Sequence, residues 1–226
     1  MARALTTVFR PYSAIYAEAE KCRDIGGLGS SIDFSITDFI LGPLRSKYRG
    51  SLAINIDTRN SLEELARVDF IENRRSIVLQ VRKSVWDAAL DKEAEGRRVL
   101  AHEIGHIWLH KDDKFGFSEF SEFSRRFVEP EYYVEDQANL FADVFLLPDC
   151  ALKAFSSRQD IIEYCDYYCG IPNDVIDRRF AVAQDLNKYH FGPKYDPSRV
   201  CRSCGGDRVR CILSYTACDD CKNITY

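Results

Sequence analysis

The sequence contains no long uninterrupted hydrophobic run. Its N-terminus, MARALTTVFRPYSAIYAEAE, has no apolar core of signal-peptide length. No other stretch approaches the length of a membrane-spanning helix. We therefore expect a cytosolic protein.

Neither sign of charge dominates. Thirty-one Lys and Arg residues oppose 35 Asp and Glu residues, for a formal net charge of -4. This balance excludes a chain that coats nucleic acid with its whole surface, although a local basic surface stays open. Hydrophobic residues make up 46% and charged residues 29%, an ordinary globular profile. The 226 residues suffice for one catalytic domain and a small appendage.

Cysteine, in contrast, is well represented, with nine residues in the chain. In a cytosolic protein most of these are reduced thiols. Reduced cysteines that crowd one short window indicate a metal site rather than a disulfide framework. Five crowd the C-terminus: Cys201, Cys204, Cys211, Cys218 and Cys221.

Hydrophobic periodicity predicts two N-terminal helices, then a small sheet, then further helices. The sheet is expected to be mainly antiparallel, because two of its strands form a hairpin. We expect residues 111–130 to form a loop. The predicted helices cover 11–24, 36–44, the stretch from 93, 134–147, 158–168 and 173–187, and the predicted strands cover 51–56, 68–71 and 76–81.

The strongest motif is His-Glu-Ile-Gly-His at residues 102–106. On a helix, His102 and His106 lie one turn apart on one face, so both imidazoles reach one zinc ion at about 2 Å. Glu103 then lies beside the metal as the base that deprotonates the attacking water. The alternative without a metal site is a surface helix with two solvated histidines. Against it, three of the chain's four histidines lie in this one stretch.

His110 is the obvious rival for third ligand, one more turn along the same helix. It lies about 12 Å from His102 along the helix axis, too far for three ligands on a straight helix to converge. A longer zincin pattern also fails, since Leu109 and Asp112 occupy the positions of its Gly and third His. His110 is therefore expected to be structural or to support a ligand.

Glu135 is the better candidate for the third ligand. It opens the helix EDQANLFAD, and Asn139 lies one turn further on the same face, where it can orient a ligand histidine. Ala138 and Ala142 are small and permit close approach of the two helices. Glu129 and Glu131 in the preceding segment are rivals, and Glu135 could instead simply stabilise a helix N-terminus.

Two segments, RVLAHEIGHIWLH at 98–110 and EDQANLFADVFLLP at 135–148, resemble the ImmA/IrrE family of metallo-endopeptidases. That family pairs a helical HExxH with a downstream E-x-x-A-N-x-F-A-x-x-x-L-x-P helix. Residues 160–187 resemble the helical segment that usually follows. The resemblance covers roughly residues 50–187, whereas the first 50 residues match weakly and the cysteine-rich tail lies outside the common core.

The resemblance implies a gluzincin-like centre, with His102, His106 and Glu135 as ligands and Glu103 as base. It implies an α+β fold in which the small antiparallel sheet packs on a helical zincin core spanning residues 1–189, including a helical segment at 158–189. It also implies a substrate, because family members typically cut a helix-turn-helix repressor of stress, mobile-element or phage-defence genes.

The tail at residues 190–226 is predicted to form a zinc ribbon. Cys201-Arg-Ser-Cys204 and Cys218-Asp-Asp-Cys221 are two C-x-x-C pairs, and four thiolates at this spacing suit a structural zinc ion. Cys211 is interpreted as a bystander that could replace one ligand. The ribbon is either a structural or docking cap, or a sensor of nucleic acid such as single-stranded DNA.

Two classes of function follow. The first is an endopeptidase that cuts a regulatory protein. The second is a non-catalytic, zinc-stabilised regulator that senses nucleic acid or docks a protein. The intact HExxH favours the first, because scaffolding requires no general base.

Overall fold

The computed structural model describes residues 4–6, 10–59, 61–71, 75–112, 116–118, 134–185, 204, 209–212, 215–218 and 224–225. In these residues helices predominate and a small sheet accompanies them. The helices are α1 Tyr12–Ile25, α2 Ile36–Phe39, a π-helical turn Ile40–Leu44, α3 Arg45–Lys47, α4 Lys83–Leu90, α5 Ala94–His110, α6 Val134–Leu146, α7 Asp149–Leu152, α8 Arg158–Tyr168 and α9 Asn173–Asp185. The strands are β1 Ala4–Thr6, β2 Leu52–Asp57, β3 Ala66–Ile71, β4 Ser76–Arg82, β5 Gly116–Ser118, β6 Val209–Ile212, β7 Tyr215–Cys218 and β8 Ile224–Thr225. The predicted α+β class is confirmed for the part of the chain so described.

The central sheet is mixed, so the expectation of a small antiparallel sheet was wrong in part. Its order is β2-β4-β3. β3 and β4 form the predicted antiparallel hairpin, but β2 runs parallel to β4. The segment between β2 and β3 carries the chain past β4, and alternation of side chains reveals a strand without revealing its neighbour. β3 is left at one edge of the sheet, and it packs against α5.

A second correction concerns the predicted loop at 111–130. Residues Gly116–Ser118 form β5, which pairs antiparallel with β1 near the N-terminus. A three-residue strand is too short for its periodicity to be recognised, and its partner lies more than 100 residues away in the sequence. Helix α4 was likewise not predicted.

The helices α5 and α6 pack closely at the centre of the fold. A Cβ added to Gly105 would lie 3.0 Å from the carbonyl oxygen of Ala138 and 3.2 Å from the Phe141 ring. Small residues on both helices therefore let their backbones approach, which brings the motif-bearing faces within side-chain reach. Ala138 and Ala142 are both buried, and the surrounding core is apolar.

Three buried arginines fix these helices relative to the rest of the core. Arg97 on α5 donates to the carbonyl oxygens of Ile32 and Phe34 at 2.8 and 2.6 Å. Arg23 on α1 donates to the carbonyl of Phe145 in α6. Arg179 on α9 donates to the Leu147 carbonyl at 2.9 Å, just past the end of α6. Each guanidinium thus satisfies backbone acceptors that would otherwise be buried without donors.

Gly96 sets the approach of α4 to α5. A Cβ at this position would lie 2.5 Å from the Ala89 backbone nitrogen and 2.8 Å from the Val85 carbonyl oxygen. We expect Gly96→Ala to lower the free energy of unfolding by about 1–3 kcal/mol, because overpacking against backbone outweighs the gain in helix propensity. Denaturant unfolding would measure it, with exposed Glu95→Ala as control. Unchanged stability in Gly96→Ala would contradict this account of the packing.

The C-terminal strands β6, β7 and β8 form a separate three-stranded antiparallel sheet. β6 and most of β7 lie between the two C-x-x-C pairs in sequence. Cys204 is exposed and Cys218 ends β7. Cys201, Cys221 and the predicted boundary near residue 190 lie outside the described residues, so the four-cysteine zinc site and the domain division remain predictions. In the residues the structure covers, no helix is long and apolar enough to cross a membrane.

A candidate metal centre between α5 and α6

Three potential metal ligands converge where α5 and α6 cross. His102 Nε2 lies 3.1 Å from Glu135 Oε2 and 2.9 Å from His106 Nε2. His106 Nε2 lies 3.5 Å from Glu135 Oε1. Among the described residues, these three side chains form the one group of His, Cys, Asp and Glu whose ligand atoms all come close enough to share an ion.

The spacing of these atoms fits zinc. Ligands at the corners of a tetrahedron, each about 2.0–2.1 Å from a zinc ion, lie about 3.3 Å apart. The distances of 2.9, 3.1 and 3.5 Å bracket that value. Two imidazoles and one carboxylate are also the donor set of catalytic zinc sites that keep a fourth position open. The residues present therefore fit this metal.

The ionisation of the ligands also suits a cation. The pKa of Glu135 is strongly lowered by hydrogen bonds from His102 and His106, so the carboxylate is ionised at neutral pH. Burial lowers the pKa of His106, which favours the neutral imidazole needed for binding. Burial acts the same way on His102, but its hydrogen bond with Glu135 raises the pKa overall. The surroundings therefore favour the neutral ring at His106 and the protonated ring at His102 in the metal-free protein.

Glu103 lies next to these ligands but is not one of them. It is buried, with 6% of its surface exposed. Burial raises the pKa of Glu103 to about 7; nearby His102 opposes this, and Glu135 and Glu64 add to it. A carboxyl group whose pKa lies near neutrality can both accept and release a proton, which is what a general base and acid must do.

The four side chains line one cleft of about 330 Å³. One wall is α5, with His102, Glu103 and His106, and a second is the N-terminal turn of α6, with Val134 and Glu135. The third wall is the edge strand β3, together with Glu64 just before it. Within the described part of the chain, the ligands therefore line a cleft beside the edge of the sheet.

Asn139 supports the first histidine. Its Oδ1 lies 3.0 Å from His102 Nδ1 and accepts a hydrogen bond from it, so Nε2, which faces Glu135 and His106, is the ring nitrogen available to a metal. We expect Asn139→Ala to weaken zinc affinity about 10- to 100-fold, because the imidazole loses this constraint. Competition with a zinc chelator would measure the change, and Asn139→Asp, which keeps an acceptor oxygen, is the matched control. Equal affinity in Asn139→Ala would show that the contact does not orient His102.

The structure separates the other candidates from this centre. His110 is fully buried, and its ring centroid lies 5.7 Å from that of His106, on the side away from Glu135 along α5. Glu129 and Glu131 lie outside the described residues.

Sequence reasoning missed the contribution of β3 to the cleft. The predicted strand at 68–71 included Val68 and Phe70, but no local signal places a strand beside a helix that begins more than 20 residues later. Only the order of the sheet, which leaves β3 at its edge, brings these residues to the metal ligands.

Comparison with known proteins gives one family. The model of the family Peptidase_M78, described as IrrE N-terminal-like domain, matches residues 60–181, more than half of the chain. The matched stretch contains β3, α5 and α6, and therefore every residue of the candidate centre. No curated protein matches the chain.

Proposed function

The chain belongs to the IrrE N-terminal-like family of peptidases, and from this premise we propose that it is a zinc-dependent endopeptidase that cuts a regulatory protein. The substrate proposed is a helix-turn-helix repressor of a stress, mobile-element or phage-defence operon. The observation that carries the proposal is the arrangement of His102, His106 and Glu135 around one point, with the buried Glu103 beside them in an open cleft.

Each residue has a distinct role in peptide hydrolysis. His102, His106 and Glu135 hold the metal, and Asn139 holds His102 in the required tautomer. Zinc bound there would polarise the peptide carbonyl and lower the pKa of water to about 7. Glu103 accepts the proton of the attacking water and then delivers it to the leaving amine. A pKa near neutrality suits both transfers.

The edge strand β3 offers a way to hold the substrate. One side of β3 pairs with β4, and among the described strands none pairs with its other side. An extended peptide can add to such an edge through main-chain hydrogen bonds. Because β3 also borders the metal ligands, a peptide paired there passes close to Glu103. An endopeptidase acting on an extended segment of a larger protein fits this geometry.

We extend the proposal to the C-terminal tail. Cys201, Cys204, Cys218 and Cys221 would hold a second, structural zinc ion, and the tail would respond to single-stranded DNA as a trigger. The alternating antiparallel strands β6, β7 and β8 near these cysteines are compatible with a ribbon. The alternative function is a non-catalytic, zinc-stabilised regulator that docks protein or senses nucleic acid.

Co-expression tests the proposal. The chain, as wild type or as Glu103→Gln, is expressed with the helix-turn-helix protein encoded next to its gene, if there is one. The partner is followed by mass spectrometry with and without added single-stranded DNA. A defined cut with wild type alone supports the repressor peptidase, and dependence on DNA supports the sensing role of the tail. Wild type and Glu103→Gln that regulate equally without any cut would favour the non-catalytic alternative.

A further inference from the structure

One face of β3 is apolar along its whole length. Ala66, Val68 and Phe70 stand opposite Val81, Leu79 and Ile77 of β4, so the two sets lie on the same face of the sheet. The β4 residues are fully buried, whereas the β3 residues are half-buried. The apolar face of the sheet therefore continues outward from the core to the edge and is still partly open to solvent there.

That open apolar face is part of the cleft wall. Ala66, Val68 and Phe70 line the same cavity as His102, Glu103 and His106. Val134 lines it as well, from the start of α6, and is almost fully buried. An apolar wall made by one strand and one helix terminus thus adjoins the metal ligands.

The other face of β3 is different in character. Arg67, Asp69 and Ile71 alternate with the apolar three, and Arg67 Nε lies 3.3 Å from Asp69 Oδ2. Arg67 also borders the cavity, but its guanidinium is engaged along the strand with Asp69. The charged side chains of β3 therefore contact each other along the strand. The face of β3 that adjoins the metal ligands is apolar.

We infer that this wall, formed chiefly by Val68 and Phe70 of β3, is a specificity subsite that selects a large apolar side chain next to the scissile bond. The inference rests on the proposed endopeptidase function. A peptide paired with β3 presents alternate side chains to each face of the sheet, so one in two faces the apolar wall. The substrate class is an extended segment with an apolar residue beside the bond that is cut and an apolar residue two positions away.

The occupant is a substrate peptide rather than a partner domain. The apolar wall is continuous with the metal ligands, and a cleft of about 330 Å³ lies at the small end of ligand pockets. A few side chains of an extended chain fit such a volume, whereas a folded domain does not.

The test uses the full-length zinc-loaded protein and a library of quenched fluorescent peptides that vary the four positions around the cut. We expect kcat/KM to be at least about tenfold higher with Leu, Met or Phe at one adjacent position than with Ser or Asp. Val68→Phe, which fills the subsite, should reduce that preference about tenfold or more, chiefly through a lower kcat/KM for the Leu, Met and Phe peptides. Ile71→Ala, on the same strand but the opposite face, is the control and should leave the profile unchanged.

A binding measurement separates the subsite from turnover. Labelled peptides with Leu or Ser at the selected position are titrated into Glu103→Gln, alone and combined with Val68→Phe, and followed by fluorescence anisotropy. Tighter binding of the Leu peptide, lost when Val68→Phe is added, supports the subsite.

The experiments distinguish failure of the proposed subsite from failure of the proposed endopeptidase function. Cleavage with no apolar preference, or with a preference that Val68→Phe does not alter in a folded protein, overturns the subsite and leaves the endopeptidase standing. A zinc-loaded wild type that cuts no peptide and binds Leu and Ser peptides equally overturns both.

Discussion

Glu103→Gln is expected to lower kcat/KM for peptide hydrolysis by about 100- to 10,000-fold, the range that a positioned general base contributes. The amide has the size of the carboxyl group and cannot accept the proton of the attacking water. His102, His106 and Glu135 are untouched, so zinc should bind as in wild type. Kinetics on a quenched fluorescent peptide and zinc titration of the same sample measure the two effects together.

The variant should fold normally. Burial raises the pKa of Glu103, which means that the folded protein disfavours the charged carboxylate there. A neutral amide avoids that cost, so thermal unfolding of the metal-free variant should be unchanged or shifted upward. Glu95→Gln removes an exposed carboxylate from the first turn of the same helix and should keep full activity. Comparable turnover in Glu103→Gln and Glu95→Gln would remove Glu103 from the mechanism.

Local periodicity accounts for the parts of the fold that carry the ligands. α5 and α6 each present a long helical pattern, and their observed bounds differ from the predicted ones by about a residue. The i and i+4 spacing of His102 and His106, and of Glu135 and Asn139, fixes which side chains share a face of each helix. Close packing of the two helices then places Glu135 beside both histidines and Asn139 beside His102.

Long-range pairing accounts for what could not be predicted. The parallel contact of β2 with β4 and the β1–β5 pair both depend on where the chain returns, which alternation along one strand does not encode. For the same reason the apolar wall of the cleft was invisible, although Val68 and Phe70 could be recognised as strand residues. A substrate surface assembled from separate elements needs the assembled fold.

The burial of three arginines is another feature that the sequence analysis did not predict. Arg23 and Arg179 belong to helices with mixed polar composition, where a charged residue ordinarily faces solvent. Arg97 did carry a signal, because it lies on the same helical face as Leu100, Ala101 and Ile104. A charge on an apolar stripe indicates a buried partner, and here the partners are backbone carbonyls that no sequence pattern marks.

Glu135→Ala is expected to abolish the metal centre itself. Removal of a ligand should cost more than the 10- to 100-fold in affinity typical of an outer contact, so zinc affinity at this centre should fall more than about 100-fold and peptide hydrolysis should be lost with it. Chelator competition should recover one zinc fewer per chain than from wild type, and any zinc held by the C-terminal cysteines is common to both. Asp136→Ala removes the neighbouring carboxylate from the same helical turn and should retain the ion.

Stability measurements distinguish loss of the ligand from damage to the fold. The side chain of Glu135 is 66% exposed, so its contacts with the histidines contribute little to folding when no metal is bound. Wild type and Glu135→Ala should therefore unfold at the same temperature in excess chelator. Added zinc stabilises only the protein that binds it, by about 4 kcal/mol at a free concentration 1,000 times the dissociation constant, so a gap should open between the two in zinc. If zinc raises both melting temperatures equally, Glu135 is not a ligand, and the third ligand must come from another residue.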